Sequence, residues 1–139
     1  MISLQLTAYS TVREFGGYAL PVPIQNQLLR SYCEKNHYVF RLSSVETYIN
    51  NNYMYLNNLI DKSFNKANIG MCSIYMFPQE IEKYYAIEEK IINKELVFHF
   101  IFENSKILSK DLRKFYMNSR LRFIEDVKGE PIEELIKLM

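Results

Sequence analysis

The stretch Tyr9-Ser-Thr-Val-Arg-Glu-Phe-Gly-Gly-Tyr-Ala-Leu-Pro-Val-Pro-Ile-Gln-Asn26 divides a strand from a helix, and the fold follows from what stands on either side of it. Before it, Ile2, Leu4, Leu6 and Ala8 alternate with Ser3, Gln5 and Thr7, a period of two that predicts a β-strand over residues 2–9. After it, Pro23 suits the first turn of a helix, where its missing N–H leaves no hydrogen bond unmade. Ile24, Leu28, Leu29, Tyr32 and Cys33 then give residues 23–35 one apolar face. The stretch holds two of the four glycines and two of the four prolines in the chain. Its polar groups, Tyr9, Ser10, Arg13, Gln25 and Asn26, are of the kinds that bind and orient a ligand, and a loop after the first strand of an α/β sheet is a favoured place for one.

Working outward, Tyr38-Val-Phe-Arg-Leu42 is a short β-rich run and predicts the second strand. Residues 43–52 are polar, and Tyr53, Leu56, Leu59, Ile60 and Phe64 are then spaced for one helix face. Ile69-Gly-Met-Cys-Ser-Ile-Tyr75 is apolar without alternation, as expected of a central strand covered on both sides. Pro78 opens a helix with Ile81, Tyr84, Ile87 and Ile91 facing inward, and Leu96 to Phe102 reads as a fourth strand. Beyond it, Leu108, Leu112, Phe115 and Tyr116 suggest a helix, residues 120–124 either finish that helix or form an edge strand, and Pro131 begins a last short helix. Alternation of strand and helix predicts one α/β domain over residues 1–139: a three-layer sandwich with a mostly parallel sheet of four or five strands, a core over 1–105 and a helical tail over 106–139. Right-handed crossovers place every strand–helix loop on one edge of that sheet.

Composition narrows the function classes. With 139 residues, 48% apolar content, 24% charge and a formal net charge of +1, the chain reads as one globular domain without the basic bias of a dedicated nucleic-acid binder. No run approaches the ~18 apolar residues of a membrane span. The first apolar run is short, alternating and without a basic leader, so a cytoplasmic protein is expected, with Cys33 and Cys72 as reduced structural thiols. The two histidines and two cysteines show no ligand spacing, so no metal site is expected. Neither GxxxxGK[ST] nor GxGxxG follows a strand, which disfavours nucleotide-triphosphate and dinucleotide binding, and no cofactor is expected.

The predicted carboxyl ends of the strands gather a constellation. The first strand contributes Tyr9, Ser10 and Arg13, with Phe15 and Gly17 shaping the loop; the second contributes Ser43, Ser44 and Glu46. The third brings Ser73, Tyr75 and Pro78, and the fourth brings Glu103 and Asn104, with His99 inside the strand. In this reading Arg13 binds an anionic group, Glu46, Glu103 or His99 handles protons, and Tyr9, Ser73 and Tyr75 orient hydroxyls. A plainer reading stands beside it. Strands end at the surface, where polar residues are common, and Gln25 and Asn26 also suit the start of a helix. His99, between Phe98 and Phe100, equally suits a satisfied core histidine. Ser10 has no neighbouring histidine to activate it as a nucleophile.

The spacing Tyr9-x3-Arg13-x-Phe15-x-Gly17-x3-Pro21-x3-Gln25-Asn26, followed by Arg30-x-Tyr32-Cys33, is similar to the sporadic carbohydrate cluster proteins, small proteins encoded within bacterial surface-glycan biosynthesis clusters. The similarity continues through Leu42-Ser43-x2-Glu46, Ser73-x4-Pro78 and His99-Phe100-x2-Glu103. This chain has Tyr18-Ala19 where the family carries a Glu-Arg pair, which puts any contact made by that Arg in doubt. The layout also resembles the catalytic domain of serine recombinases, a flavodoxin-like arrangement. However, Ser10 precedes Arg13 here, and Met76-Phe77-Pro78-Gln79-Glu80 stands where an arginine-rich motif belongs. The first resemblance implies a pathway, surface-glycan biosynthesis, rather than a reaction. Within that pathway the residue types at the strand ends suggest a cytoplasmic, cofactor-independent enzyme acting on a sugar, sugar phosphate or nucleotide sugar, with a homodimer plausible. The alternatives are a non-catalytic binding or regulatory partner in the same pathway, or a degenerate recombinase-like protein.

Overall fold

The computed structural model describes residues 4–15, 17, 19–46 and 53–121, with the backbone alone at 43, 44 and 46. The strands are β1 (Gln5–Thr11), β2 (Val39–Glu46), β3 (Asn68–Met71), β4 (Val97–Phe100) and β5 (Ser105–Leu108). The helices are α1 (Val22–Asn36), α2 (Met54–Lys62), α3 (Ile81–Ile91) and α4 (residues 112–121). The sheet order is β2-β1-β3-β4-β5, parallel except for β5. This is the flavodoxin-like three-layer sandwich. The chain leaves β1 first for β2 on one side and then crosses to β3 on the other, so the crevice at the carboxyl end of β1 and β3 is the topological switch point.

The two faces of the sheet are built differently. On one face α1 lays Leu29 and Cys33 over Leu6 and Ala8 of β1. The close fit depends on Gly70 of β3, where an added Cβ would lie 2.5 Å from the Leu6 side chain. On the other face, α2, α3 and α4 cover a continuous cluster that includes Ile69, Met71, Phe77, Phe98, Phe100, Leu112 and the stacked Tyr84–Tyr116 pair, whose centroids are 3.8 Å apart. Phe77 packs edge-on against both Phe98 and Phe100 at 5.6 and 6.2 Å. Rings at these separations add to the stabilisation from area burial alone.

Several expectations need correction. On α1, Leu29 and Cys33 of the predicted face are buried and Leu28 and Tyr32 half-buried, but Ile24 is 44% exposed and Gln25 takes the inward place in the first turn, where its amide has a structural task. β2 runs past Leu42 into the polar stretch, since an extra residue bulges between the Ala8–Leu42 and Ser10–Val45 pairs and lets Glu46 reach Thr11. β3 stops at Met71, and Ile74–Met76 form a 3-10 turn instead of more strand. The tail is not wholly helical from 106. A turn over 101–104, with Asn104 at φ 48° and its N–H on Ile101 O, reverses the chain, and β5 pairs antiparallel with β4. Residues 120 and 121 belong to α4; the predicted elements beyond them, and Ile2 and Ser3, lie outside the described residues.

Candidate functional site

The first loop is closed by one buried side chain. Gln25 accepts from Thr11 N at 3.1 Å through Oε1 and donates from Nε2 to Thr11 O and Leu20 O, both at 2.7 Å. Both ends of the segment 12–20 are thereby pinned to the first turn of α1. A fully buried amide whose oxygen and nitrogen are both matched stabilises its site, whereas unmatched it would destabilise it. Ser10 adds a second tie by donating to Asn26 Oδ1 at 2.8 Å. Gly17 sits at the exposed tip with φ 84°, a conformation that favours glycine. Phe15 turns inward and meets Phe102 with ring centroids 6.1 Å apart, so the loop reaches across to the turn after β4.

Arg13 stands on this frame. Its backbone N and Nε both donate to Thr11 Oγ1, at 3.2 and 3.3 Å, and its guanidinium lies over the Tyr53 ring at 3.9 Å. A half-buried guanidinium stacked on a ring keeps donors for an anion while its stem and plane are held.

Glu103 is the titratable group on the same edge. Its Oε2 accepts from Ser73 Oγ and its Oε1 from Ile74 N, both at 2.8 Å. Ser73 Oγ in turn accepts from Tyr75 N at 3.1 Å, so the carboxylate and the hydroxyl together cap the 3-10 turn. Burial raises the Glu103 pKa above the ordinary carboxylate value, outweighing the opposing effect of its hydrogen bonds to Ile74 and Ser73. The neighbouring Cys72 thiol is pushed up to about 12 by burial and then by the Glu103 charge, so it stays protonated.

The structure therefore brings Ser10, Arg13, Phe15, Gly17, Asn26, Ser73 and Glu103 to one edge, across the ends of β1, β3 and β4. It does not bring His99 there. His99 points to the α1 face from within β4, fully buried, with Nδ1 2.6 Å from the Tyr32 hydroxyl and Nε2 2.8 Å from Asn68 Oδ1. These partners suit a neutral ring that carries its proton on Nε2, and burial, with a smaller contribution from Lys106, lowers its pKa to about 4. Tyr9 is buried in the core cluster, and Tyr75 donates to Ser119 O at 2.8 Å, tying the turn to α4. Gln25 is occupied by the loop clamp. The side chains of Ser43 and Glu46 lie outside the described residues.

Sequence reasoning missed Thr11, the hub that receives both Arg13 donors, and Tyr53, the platform under Arg13. A threonine at a strand end followed two residues later by a cation is a weak signal; the Tyr53 contact spans 40 positions and leaves none. Among the described residues no group of three or more His, Cys, Asp or Glu is placed to hold a metal, and no helix is long and apolar enough to cross a membrane. No protein-family model matches the chain, and no curated protein matches it.

Proposed function

We propose that this chain acts in bacterial surface-carbohydrate biosynthesis in the cytoplasm, as a cofactor-independent enzyme on a sugar phosphate or nucleotide sugar bound at the carboxyl edge of the sheet. The observation that carries the reading is Glu103, a carboxylate held at the switch-point edge with a raised pKa, on the edge that also carries the clamped Arg13 loop. Its oxygens accept from Ser73 and Ile74, with a further backbone contact from Glu103 itself, and a carboxylate has about four acceptor sites, which leaves capacity for a substrate hydroxyl. Arg13 takes the phosphate, and Glu103 accepts or returns a proton in an isomerisation, elimination or hydrolysis. The pathway assignment rests on the first-loop spacing shared with the sporadic carbohydrate cluster proteins.

A second reading, a binding or regulatory partner in the same pathway, is favoured by one observation: His99, Gln25 and Tyr75 are engaged within the fold, which leaves few groups for chemistry. A thermal-shift screen against sugars, sugar phosphates and nucleotide sugars separates the two once its hits are incubated with protein and followed by mass spectrometry. A ligand at 100 times its dissociation constant adds about 2.7 kcal/mol of apparent stability. The enzyme reading predicts a new product, seen as a mass change for elimination or hydrolysis and as a new ¹H NMR spectrum of the sugar for isomerisation, that Glu103→Gln abolishes while retaining the thermal shift. A shift without turnover moves the assignment to the partner reading, and no shift with any sugar class overturns the enzyme reading.

A further inference from the structure

The opposite edge of the sheet carries a separate open groove of about 1060 Å³, at the amino end of β4 and the carboxyl ends of β5 and α3. Its apolar part is aliphatic: Ile91 and Leu96 are buried, and Ile92 and Leu108 are 75% and 43% exposed. Its charged part is four cations, Lys66, Lys94, Lys110 and Arg113, against the two carboxylates Glu88 and Glu95.

Two of the cations have structural duties. Lys94 Nζ donates to Ile60 O at 2.7 Å and Asp61 O at 2.9 Å, closing the carboxyl end of α2. Arg113 pairs with Glu88 at 2.8 Å. Lys66 and Lys110 make no ion pair or side-chain hydrogen bond among the described residues. The walls are stitched together: Lys66 N donates to Glu95 O, Ser109 N to Leu96 O at 2.9 Å, and Ser109 Oγ to Lys94 O at 2.8 Å. The groove therefore presents two uncommitted ammonium groups beside exposed aliphatic surface on a fixed frame. Lysine stems lie along apolar surface while their charge reaches outward, which suits a ligand with an anionic head and an aliphatic body. No aromatic ring lines it, so nothing there stacks a nucleobase.

We propose that this groove binds a free single-chain anionic amphiphile, an alkyl phosphate or long-chain carboxylate, with its head between Lys66 and Lys110 and its chain along Ile92, Val97 and Leu108. The site lies at the end of β4 remote from Glu103, so the proposal stands independently of the sugar site.

The test is an NMR titration of the ¹⁵N-labelled 139-residue chain with dodecyl phosphate below its micelle concentration, beside inorganic phosphate and phosphatidylglycerol vesicles. The proposal predicts saturable shifts confined to residues 66, 92–97 and 108–113. Inorganic phosphate should bind at least about tenfold more weakly. The double variant Lys66→Glu, Lys110→Glu should lose about tenfold or more in affinity with an unchanged melting curve, because both side chains are exposed. Arg13→Ala should bind dodecyl phosphate normally. Absence of saturable binding, equal affinity for inorganic phosphate, or binding to vesicles but not to the free amphiphile would each overturn the proposal.

Discussion

The two faces of the sheet use buried side chains for different ends. The face under α2, α3 and α4 is a cluster of aliphatic side chains and stacked rings, and its main polar tie, Tyr116 to Pro78 O at 2.5 Å, fastens α4 to the segment before α3. The face under α1 buries Gln25, Ser10 and His99 among Leu6, Ala8, Leu29 and Cys33, and each of those polar groups has a named partner. Apolar burial is non-directional and supplies stability. Hydrogen bonds are directional, and on the α1 face they fix the course of the first loop over the switch point. The contrast teaches that buried polarity in this chain serves positioning, and the site is the edge that this positioning presents.

Breaking the aromatic face should have the largest effect. Phe98→Ala removes a fully buried ring between Phe77 and Phe100 and should destabilise by about 3–5 kcal/mol, read from the urea midpoint. A loss below about 1 kcal/mol would mean the cluster repacks freely. Gln25→Ala should lower stability by about 2–3 kcal/mol, since Thr11 N, Thr11 O and Leu20 O lose their shared partner. Hydrogen exchange at Thr11 should accelerate far more than exchange at Phe98; uniform acceleration would show that Gln25 is general packing and not a loop clamp.

The His99 cluster sharpens the comparison through pH. Its folded pKa, about 4, lies below the ordinary 6.5, so its contribution is complete above pH 6.5 and is lost as pH falls through about 4. Stability at pH 4.5 should be about 2 kcal/mol below that at pH 7 on this account. Glu103, with a raised pKa, works the other way: its contribution is present below about 4.5 and is lost as pH rises through its folded value, so it offsets part of the acid loss. In His99→Phe the acid decline should shrink. An unchanged decline would place the titrating group elsewhere.

Much of the fold could be read in the sequence because strand and helix periods differ. The alternation ending at Ala8, the unbroken apolar run after Ile69 and the spacing Tyr84-Ile87-Ile91 each predicted an element that is present. β5 was hidden because it has only four residues, Ser105–Leu108, and its pairing depends on a tight turn at Asn104. The inward place of Gln25 in the first turn of α1 was hidden because an amide partnering three backbone groups outranks a hydrophobic position, which period alone does not register. The site was legible as a place and less so as a set of residues. Arg13, Ser73 and Glu103 were named together and stand on one edge, whereas His99 was drawn in by its chemistry although its flanking phenylalanines already indicated the opposite face.

The smallest expected effect on stability belongs to Arg13, and it gives the most direct test of the site. Arg13→Ala removes one ring contact and the Nε bond to Thr11, and should lower stability by less than about 1 kcal/mol. Thermal shifts of wild type and Arg13→Ala would be measured side by side against the same sugar phosphates and nucleotide sugars. The account predicts near-equal melting temperatures without ligand, and a stabilisation by phosphate-bearing sugars that the variant loses. A variant that melts like wild type and keeps the full ligand shift, or one that unfolds outright, would contradict the assignment of Arg13 and its loop as the anion contact.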